Sequence, residues 1–560
     1  MTMPYVLMTP EPAGPADEWG RLGLAAHVGG QVPDAERHYL SALRVEPGHL
    51  IATQNLAILY AQTGRLLDGL MTIERATMLD PTAPLPWANW SLMALEAERY
   101  DEALDAAAQG CKTAATPETQ TALAMALTAR GRAADAVPLY DRVLDTHPTR
   151  MMASYNACFV RTLTATSSAE GGAARRRWYE AHRFQGDRAP HANARTLDRP
   201  LRVGYVSGDF KRHSAAFLFG TAALHHDLTA VAPYFYSTLP TDPASDPMTA
   251  KFRAAGTWRD LTALDDAQAD ALIRQDGIDI LVELSGHTGG NRLPLFTRKP
   301  APVQVTAWGF AHGTGCPEID YFFADPVAVP TSERGHFAER IWDLPCIVGY
   351  EPPEDYALKG TSPAPVTRDE DGWITFGAFG RFEKLSDEAL GAWADILRRV
   401  PESRLLFKDR AFRRPFSIRR VREALADIDP RRLVFALDSH HNEHMQAYQQ
   451  ADLILDPFPH TGGTTGLEQL YMGVPILTLY GSQPAGRTTA SVLTAMGRGG
   501  WVASTVQDYV ELAVAWVRDP ALAAARKTLR QELLDSPVCR GYRAAVEDAY
   551  RAMWATWCAR

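Results

Sequence analysis

ADLILDPFPHTGGTTGLEQLYMGVPILTL, residues 451–479, decides the fold. The apolar run Ala451 to Asp456 has strand character and ends in a Pro-rich turn. Gly462-Gly463-Thr464-Thr465-Gly466 then opens a helix expected to begin near Leu467, and VPILTLY (474–480) reads as a second strand. Strand, glycine-rich turn, helix and strand make a βαβ unit, whose two strands are parallel. Glycines allow close backbone approach. The free N–H groups and the positive end of the helix dipole attract a phosphate, and threonine hydroxyls add donors. Glu468, in the first turn, is placed to accept bonds from ribose hydroxyls. An ordinary helix capped by Thr464 or Thr465 fits the same letters. Neither G-x-x-x-x-G-K-[ST] nor G-x-G-x-x-G occurs, so P-loop and dinucleotide-binding readings are unsupported.

The same rhythm extends in both directions. WITFGAF, RLLFK and RLVFA are strand-like in residues 372–560, as are LRVGYVS, PYFYS, IDILVEL and PVQVTAWGF in residues 201–350. Helical stretches such as DDAQADALIRQ separate them. Two Rossmann-like lobes are expected, 201–350 and 372–560, with the Pro-, Gly- and charge-rich stretch Glu351 to Asp371 as a linker. The ending, RAAVEDAYRAMWATW, reads as a closing helix that packs back onto the lobes. Ligands of doubly wound sheets bind outside the carboxyl ends of the strands. A cleft between two such lobes suits a nucleotide-linked substrate on one side and an acceptor on the other.

Residues 15–150 read as an internal repeat. Gly30, Gly64, Glu98 and Gly131 recur at a period of 33–34, with small residues five positions on (Ala35, Gly69, Ala103, Ala136). Ala42, Ala76, Gly110 and Val143 are small or compact at the twelfth position, and Glu46-Pro47, Asp80-Pro81 and His147-Pro148 close three of the four units. Helix–turn–helix units with small residues at the crossing give this pattern, which resembles the tetratricopeptide repeat. Stacked units form an α/α superhelix whose concave face often binds peptides or proteins. Residues 151–200 read as a helical linker. Its Gly171-Gly172 pair looks like a break, and Arg175, Arg176 and Arg177 look like a solvated helix face.

The formal net charge is −9, from 57 Lys plus Arg and 66 Asp plus Glu, which argues against a nucleic-acid partner. No stretch of 18 or more apolar residues and no secretory leader is present, so no membrane partner is expected. Six scattered cysteines form no C-x-x-C pair, which fits a reducing, cytoplasmic setting.

Four more segments carry chemistry. In WITFGAFGRFEKL the strand ends at Phe379, and Arg381 and Lys384 follow where they would face the cleft and hold a diphosphate. In GYVSGDFKRHS, His213 stands at the lip of a strand, placed for acid–base work. His287 and His312 also follow strands of that lobe and are candidates for an acceptor or sugar pocket. In DSHHNEHMQAYQQ, His441 and His444 lie three apart on a helix. Metal ligation is conceivable, but no Asp or Cys partner is evident, and stacking on a base is preferred. Asp369-x-Asp371 and Asp427-x-Asp429 match a metal-binding D-x-D by letter but lie in charged, loop-like context. No metal is expected.

GYVSGDFKRHS, WGFAHGTG, FGAFGRFEKL, DPFPHTGGTTGLEQLYMGVPILT and SPVCRGYRAAVEDAYRAMW together resemble the O-linked N-acetylglucosamine transferase family, with the short repeat array of its bacterial homologues. The resemblance implies a GT-B fold and an inverting, metal-independent enzyme that moves N-acetylglucosamine from UDP-GlcNAc to Ser or Thr hydroxyls of proteins. It implies no cofactor beyond this donor substrate, and protein or peptide acceptors reached through the repeat groove. By the same resemblance His213 stands at the proposed general base, a role for which a donor phosphate oxygen is the rival. Lys384 stands at the diphosphate contact, and Gly463, Thr464 and Thr465 stand at a His-Thr-Thr trio on the phosphates. Glu468 matches the ribose contact, and Ser439, His441 and His444 match the base-binding positions. His460 and Arg381 are further donor-side candidates. Arg381, Gly463 and Ala447 depart from the usual glutamine, histidine and arginine, and a related branch of the family uses GDP-fucose. Two further alternatives are a non-catalytic repeat scaffold with a degenerate transferase body and a nucleotide-sugar epimerase, which shares the GT-B fold but normally lacks the repeat array.

Overall fold

The repeat period becomes four helical hairpins. The computed structural model describes residues 3, 5–11, 14–352, 372–517 and 519–560. The chain divides into two compact units, Met1–Val160 and Arg161–Arg560.

In the first unit, α1 (Pro15–Val28) pairs with α2 (Val32–Val45), and α3 (Leu50–Gln62) with α4 (Leu66–Leu79). Likewise α5 (Pro84–Glu96) pairs with α6 (Tyr100–Thr113), and α7 (Pro117–Ala129) with α8 (Ala133–Thr146). The four anchor residues have one job. Gly30, Gly64, Glu98 and Gly131 all lie in the left-handed region, with φ of 72°, 82°, 58° and 72°. The next N–H then reaches back five residues: Gln31 to Ala26, Arg65 to Tyr60, Arg99 to Ala94 and Arg132 to Leu127, at 2.7–2.9 Å. This closes each first helix and turns the chain into the second. Glycine takes that conformation without a Cβ clash, and Glu98 is the exception. The small residues mark the crossings. Ala35, Ala103 and Ala136 are fully buried, and a Cβ on Gly69 would sit 2.9 Å from the Ala57 carbonyl oxygen of the partner helix.

The second unit holds two parallel sheets. The first comprises β1 (Leu201–Ser207), β2 (Val231–Ser237), β3 (Thr257–Asp260), β4 (Ile280–Glu283), β5 (Val303–Thr306), β6 (Tyr321–Ala324) and β7 (Arg340–Asp343). Their order is β3-β2-β1-β4-β5-β6-β7. The second comprises β8 (Ile374–Phe379), β9 (Ser403–Lys408), β10 (Leu433–Ala436), β11 (Leu453–Leu455), β12 (Ile476–Leu479) and β13 (Val502–Ala503), in the order β10-β9-β8-β11-β12-β13. Each order reverses once, between β1 and β4 and between β8 and β11. The loops that leave these four strands therefore diverge and open a crevice. β3, β6, β7 and β13 escaped the sequence reading: β3 and β7 are partly exposed edge segments with no apolar run, β13 is two residues long, and β6 is a fully buried apolar run of four whose letters, YFFA, did carry a signal.

Buried carboxylates at strand ends hold the turns. Glu283 Oε1 accepts from the N–H groups of Ser285 and Gly286 at 2.7 Å each, and Oε2 accepts from Thr306. Asp325, just after β6, accepts from the Val327, Ala328 and Ile347 N–H groups and from Ser491 Oγ of the second lobe. Close approach fixes the next turn as well, since a Cβ on Gly309 would fall 1.5 Å from the Leu284 carbonyl oxygen.

Three expectations need correction. Gly171-Gly172 is no break but lies inside the helix Ser168–His182, where Cβ atoms would press on Gln483 Oε1 and the His336 carbonyl at 2.8 Å. Arg175 is buried at 3% exposure beside the Phe337 ring, so only Arg176 and Arg177 fit a solvated face. The closing helix Tyr542–Cys558 belongs physically to the first lobe rather than the second. Trp308 Nε1 donates to Tyr542 Oη at 2.8 Å, the Tyr550 and Tyr205 hydroxyls bond at 3.2 Å, and Trp554 donates to the Thr196 carbonyl. The linker reading of Glu351 to Asp371 falls, from 353 on, outside the described residues. Among the described residues no helix is long and apolar enough to cross a membrane.

Gly69→Val is expected to cost roughly 1–3 kcal/mol through overpacking. Hydrogen exchange should show faster amides in α3 and α4. Gly48→Ala, whose new methyl would meet only Leu79 at 3.8 Å, is the matched control and should change little.

Candidate functional site

The helix that follows β11 starts three residues earlier than its letters suggest. It runs Thr464–Tyr471 with Gly463 at the N-cap and no side-chain cap, which corrects the assignment of Thr464 or Thr465 to that role. Both threonines are therefore in the first turn, where backbone N–H groups have no intrahelical acceptor. Asp456, buried at the end of β11, aims this turn. Its Oδ1 accepts from the Gly462 N–H at 2.9 Å and its Oδ2 from Thr478 Oγ1 at 2.9 Å. Thr464 Oγ1 crosses to the first lobe and donates to the Ser214 carbonyl at 3.0 Å.

The helix N-terminus opens on a cleft of about 790 Å³ between the lobes. His213, Ser439, His441, His444, Thr464, Thr465 and Glu468, all singled out in the sequence, line it. Arg212, Ser214, Phe217, His440 and Asn442 complete the wall. Phe217 gave no sequence signal beyond helical apolarity, yet its ring stacks parallel to His441 at 6.1 Å across the cleft.

At one end a polar relay is preformed. The Tyr448 hydroxyl donates to Glu468 Oε2 at 3.0 Å and bonds His444 Nε2 at 2.8 Å. Burial, with Lys408 and His441 nearby, lowers His444 to about 4, so its ring is neutral at pH 7. Lys408, at the end of β9, donates to Ser439 Oγ at 3.1 Å and to the Leu437 carbonyl. Tyr448 lies one helical turn beyond His444, and that i, i+4 spacing was the signal available for it.

Lys384, Arg381, His460 and Gly463 do not line the cleft wall, but adjoin it around the Gly462-Gly463 turn. Lys384 closes the short 3₁₀ turn Phe382–Lys384, and its Nζ donates to the Thr461 carbonyl at 2.6 Å, beside the Gly462-Gly463 turn. Burial lowers this amine to about 7; Arg381 adds to the shift, while Asp456 and Glu383 oppose it. His213 caps the helix Ser214–Ala223, its Nδ1 accepting from the Ala215 N–H at 3.3 Å. Desolvation, Lys211 and Arg381 lower its pKa against the pull of Asp209. With the Nδ1 lone pair engaged, the neutral ring carries its proton on Nε2. His460 is next to this group; burial, then Lys384 and Arg381, hold its pKa well down.

His287 and His312 are not brought to the cleft wall. Both are 1% exposed in the first lobe: His287 bonds the Thr314 carbonyl at 2.7 Å and meets Trp178 edge-on, and His312 packs on Phe310. Burial and Arg175 keep both neutral. Strand-end position was a correct local reading, but the chain folds over these rings. Among the described residues no three His, Cys, Asp or Glu side chains cluster as metal ligands would. Asp427 and Asp429 pair instead with Arg398 and Arg431 on the surface, and Asp369-x-Asp371 lies outside the described residues.

Two facing parallel sheets, each with its reversal point on one cleft, define a two-lobed α/β fold of the GT-B type, which follows a helical repeat array in the sequence. The chain belongs to glycosyl transferase family 41, whose family model matches residues 182–349 and 361–544. It is 36% identical over 400 residues to the Hordeum vulgare protein described as a probable UDP-N-acetylglucosamine–peptide N-acetylglucosaminyltransferase SPINDLY, covering 68% of this chain and 42% of that one. It is 31% identical over 370 residues to the Arabidopsis thaliana protein described likewise as SEC, covering 64% and 37%. The chain thus spans less than half the length of these curated relatives. A mutant of the Thermobaculum terrenum O-GlcNAc transferase superposes over 99% of both chains with a TM-score of 0.77 and 29% identity.

Lys384 provides the electrostatic test. At about pH 8 its amine is mostly neutral in the empty site, and a bound diphosphate would favour the charged form. Calorimetry of nucleoside diphosphate binding in two buffers of different ionisation enthalpy should show uptake approaching one proton at pH 8 and far less at pH 6. Lys384→Met should abolish that uptake. The same substitution should raise the melting temperature most below pH 7, where the wild-type fold holds a charged buried amine. The gain fades toward 10.5, above which the unfolded lysine is neutral too.

Proposed function

We propose that the chain is an inverting, metal-independent glycosyltransferase that moves N-acetylglucosamine from UDP-GlcNAc to Ser or Thr hydroxyls of protein acceptors in a reducing, cytoplasmic setting. One observation carries the reading: a cleft lined by Arg212, the helix N-terminus at Thr464-Thr465 and the hydrogen-bonding, ring-bearing side chains Ser439, His441, His444 and Glu468 has Arg381 acting on His213 of its wall and Lys384 beside the Gly462-Gly463 turn. A nucleoside diphosphate has that polarity.

In this reading the acceptor oxygen attacks the anomeric carbon from the face opposite the diphosphate. The bond from that carbon to the phosphate oxygen breaks, and its electron pair leaves with the diphosphate. Lys384, Arg381 and the first-turn N–H groups stabilise the charge that develops there. The acceptor proton goes to a donor phosphate oxygen. His213 orients rather than deprotonates, because its Nδ1 is occupied by the Ala215 N–H and its neutral Nε2 is already protonated. No step uses a metal or a cofactor.

A second reading, fucose transfer from GDP-fucose, rests on the residues that depart from the resemblance. Arg381 adds a cation, Ala447 leaves a small side chain beside Tyr448, and a Cβ at Gly463 would meet nothing within 4 Å. The site is thus roomier than the usual residues would make it, and its arginine stands at position 381 rather than 447.

Lys384→Ala is expected to lower transfer by roughly 10²–10³-fold while leaving the fold intact. Calorimetry with UDP and GDP in EDTA separates the readings: preference for UDP supports N-acetylglucosamine, preference for GDP supports fucose, and binding of neither favours the scaffold. Glu468→Gln should weaken nucleoside diphosphate binding by roughly 10–100-fold, the worth of a hydrogen bond to a charged group, and leave pyrophosphate binding unchanged. Equal losses for both ligands would remove Glu468 from the ribose.

A further inference from the structure

The second lobe carries a cationic hollow that glycosyl transfer does not use. Residues 408–432 hold nine Lys and Arg against four Asp and Glu, in a chain whose net charge is −9. The helix Pro415–Ala424 runs through this stretch and buries Phe416, Ser417 and Val421 on its inner face. Its outer side borders a hollow of about 570 Å³, whose wall combines Arg413, Arg419 and Arg422 with the apolar Pro415 and Ile418.

Three neighbouring arginines are already engaged. Arg420 donates to the Leu385 carbonyl at 2.9 Å and to Asp387 at 3.1 Å. Arg432 donates to the Ser403, Leu397 and Val400 carbonyls, and Arg431 pairs with Asp429. The arginines of the hollow are not used up in this way. Arg413 is steadied by Asp438 through Nε alone, at 2.7 Å. Arg422 lies over the Phe435 ring at 5.9 Å. Among the described residues neither Arg419 nor Arg422 meets a carboxylate. Glu423 also lines the hollow and pairs with neither, although it stands four residues after Arg419; arginine before glutamate is the weaker order for such a pair.

The charges also run against the helix dipole. A helix N-terminus is its positive end and favours Asp or Glu. This helix has no acid in its first turn, Arg413 and Arg414 directly ahead of it, and Arg419 and Arg420 in its second turn. Helix stability does not ask for that arrangement, and an anion seated there offsets it. Guanidinium groups take carboxylates in a two-pronged fit, and Pro415, Ile418 and the arginine stems offer apolar surface beside them. No aromatic ring lines the hollow for a base to stack on, and Glu423 opposes a continuous run of phosphates.

We propose that this hollow docks an acidic segment of a partner protein, in which Asp or Glu flank an apolar residue. The proposal does not rest on the donor site or on glycosyl transfer.

The test is fluorescence anisotropy with the full chain, without nucleotide, and an end-blocked, labelled octapeptide Glu-Glu-Leu-Glu-Glu-Leu-Glu-Glu. The peptide should bind, more weakly as salt is raised, and its Gln-for-Glu version should bind at least ~10-fold more weakly. Arg419→Glu with Arg422→Glu should cost at least ~10-fold, and the same variant should gain affinity for the Lys-for-Glu peptide, a result no misfolded protein gives. Arg37→Glu with Arg431→Glu alters two exposed arginines outside the hollow by the same net charge and should cost less than ~2-fold. Lys384→Ala should leave binding unchanged, which separates the hollow from the donor cleft. No binding, equal losses in the two double variants, a loss with Lys384→Ala, or displacement by a single-stranded oligonucleotide at lower concentration than by unlabelled peptide would each overturn the proposal.

Discussion

The cleft depends on buried carboxylates that hold the turns leaving the parallel strands. Asp456 fixes Gly462, and Glu283 fixes Ser285 and Gly286. Asp325 reaches across to Ser491 and ties the lobes together. Each accepts main-chain N–H groups that a sharp turn would otherwise leave unpaired in a dry interior. Burial still tells on them: Glu283 is pushed up to about 7 and Asp456 is raised. An interior that already strains two carboxylates also disfavours a charged lysine, which is why Lys384 sits near neutrality in the empty site. Incoming negative charge relieves that cost and favours the charged lysine that phosphate departure needs.

The two ends of the cleft divide the labour. The cationic end is held by short loops whose positions derive from β8 and β11. The relay His444–Tyr448–Glu468 spans two helices and is set before any ligand arrives. Because His444 and His213 are both held neutral by their surroundings, the histidines act through hydrogen bonds and ring faces, while Arg381 and a helix N-terminus supply fixed positive charge and Lys384 gains its charge as a diphosphate binds. The repeat unit works by different physics. Its left-handed corners set the stacking, and its buried Asn55 and Asn89 amides bond the main chain of Met8 and Val6.

The 34-residue period was legible because every unit needs the same left-handed residue and the same small contact. The strand runs of β1, β4, β8, β9 and β12 were legible because strands buried on both faces are continuously apolar. The turn Gly462–Gly466 was legible because few sequences other than a helix-opening loop carry that glycine spacing. Seven of the residues so marked do line one cleft. Short edge strands were not legible, since four half-exposed residues carry too little pattern to register.

The chain's letters therefore determined the repeat array, the two α/β lobes and the local position of each candidate side chain. Tertiary structure decided which of those side chains meet. It buried Arg175, covered His287 and His312, started the critical helix at Thr464 and gave the last helix to the first lobe. It also brought Phe217 to His441 and laid Met8 and Val6 on Asn55 and Asn89. The reason is physical: periodicity and turn chemistry are properties of neighbours in sequence, whereas burial, pKa and the pairing of amides are set by groups tens to hundreds of residues away.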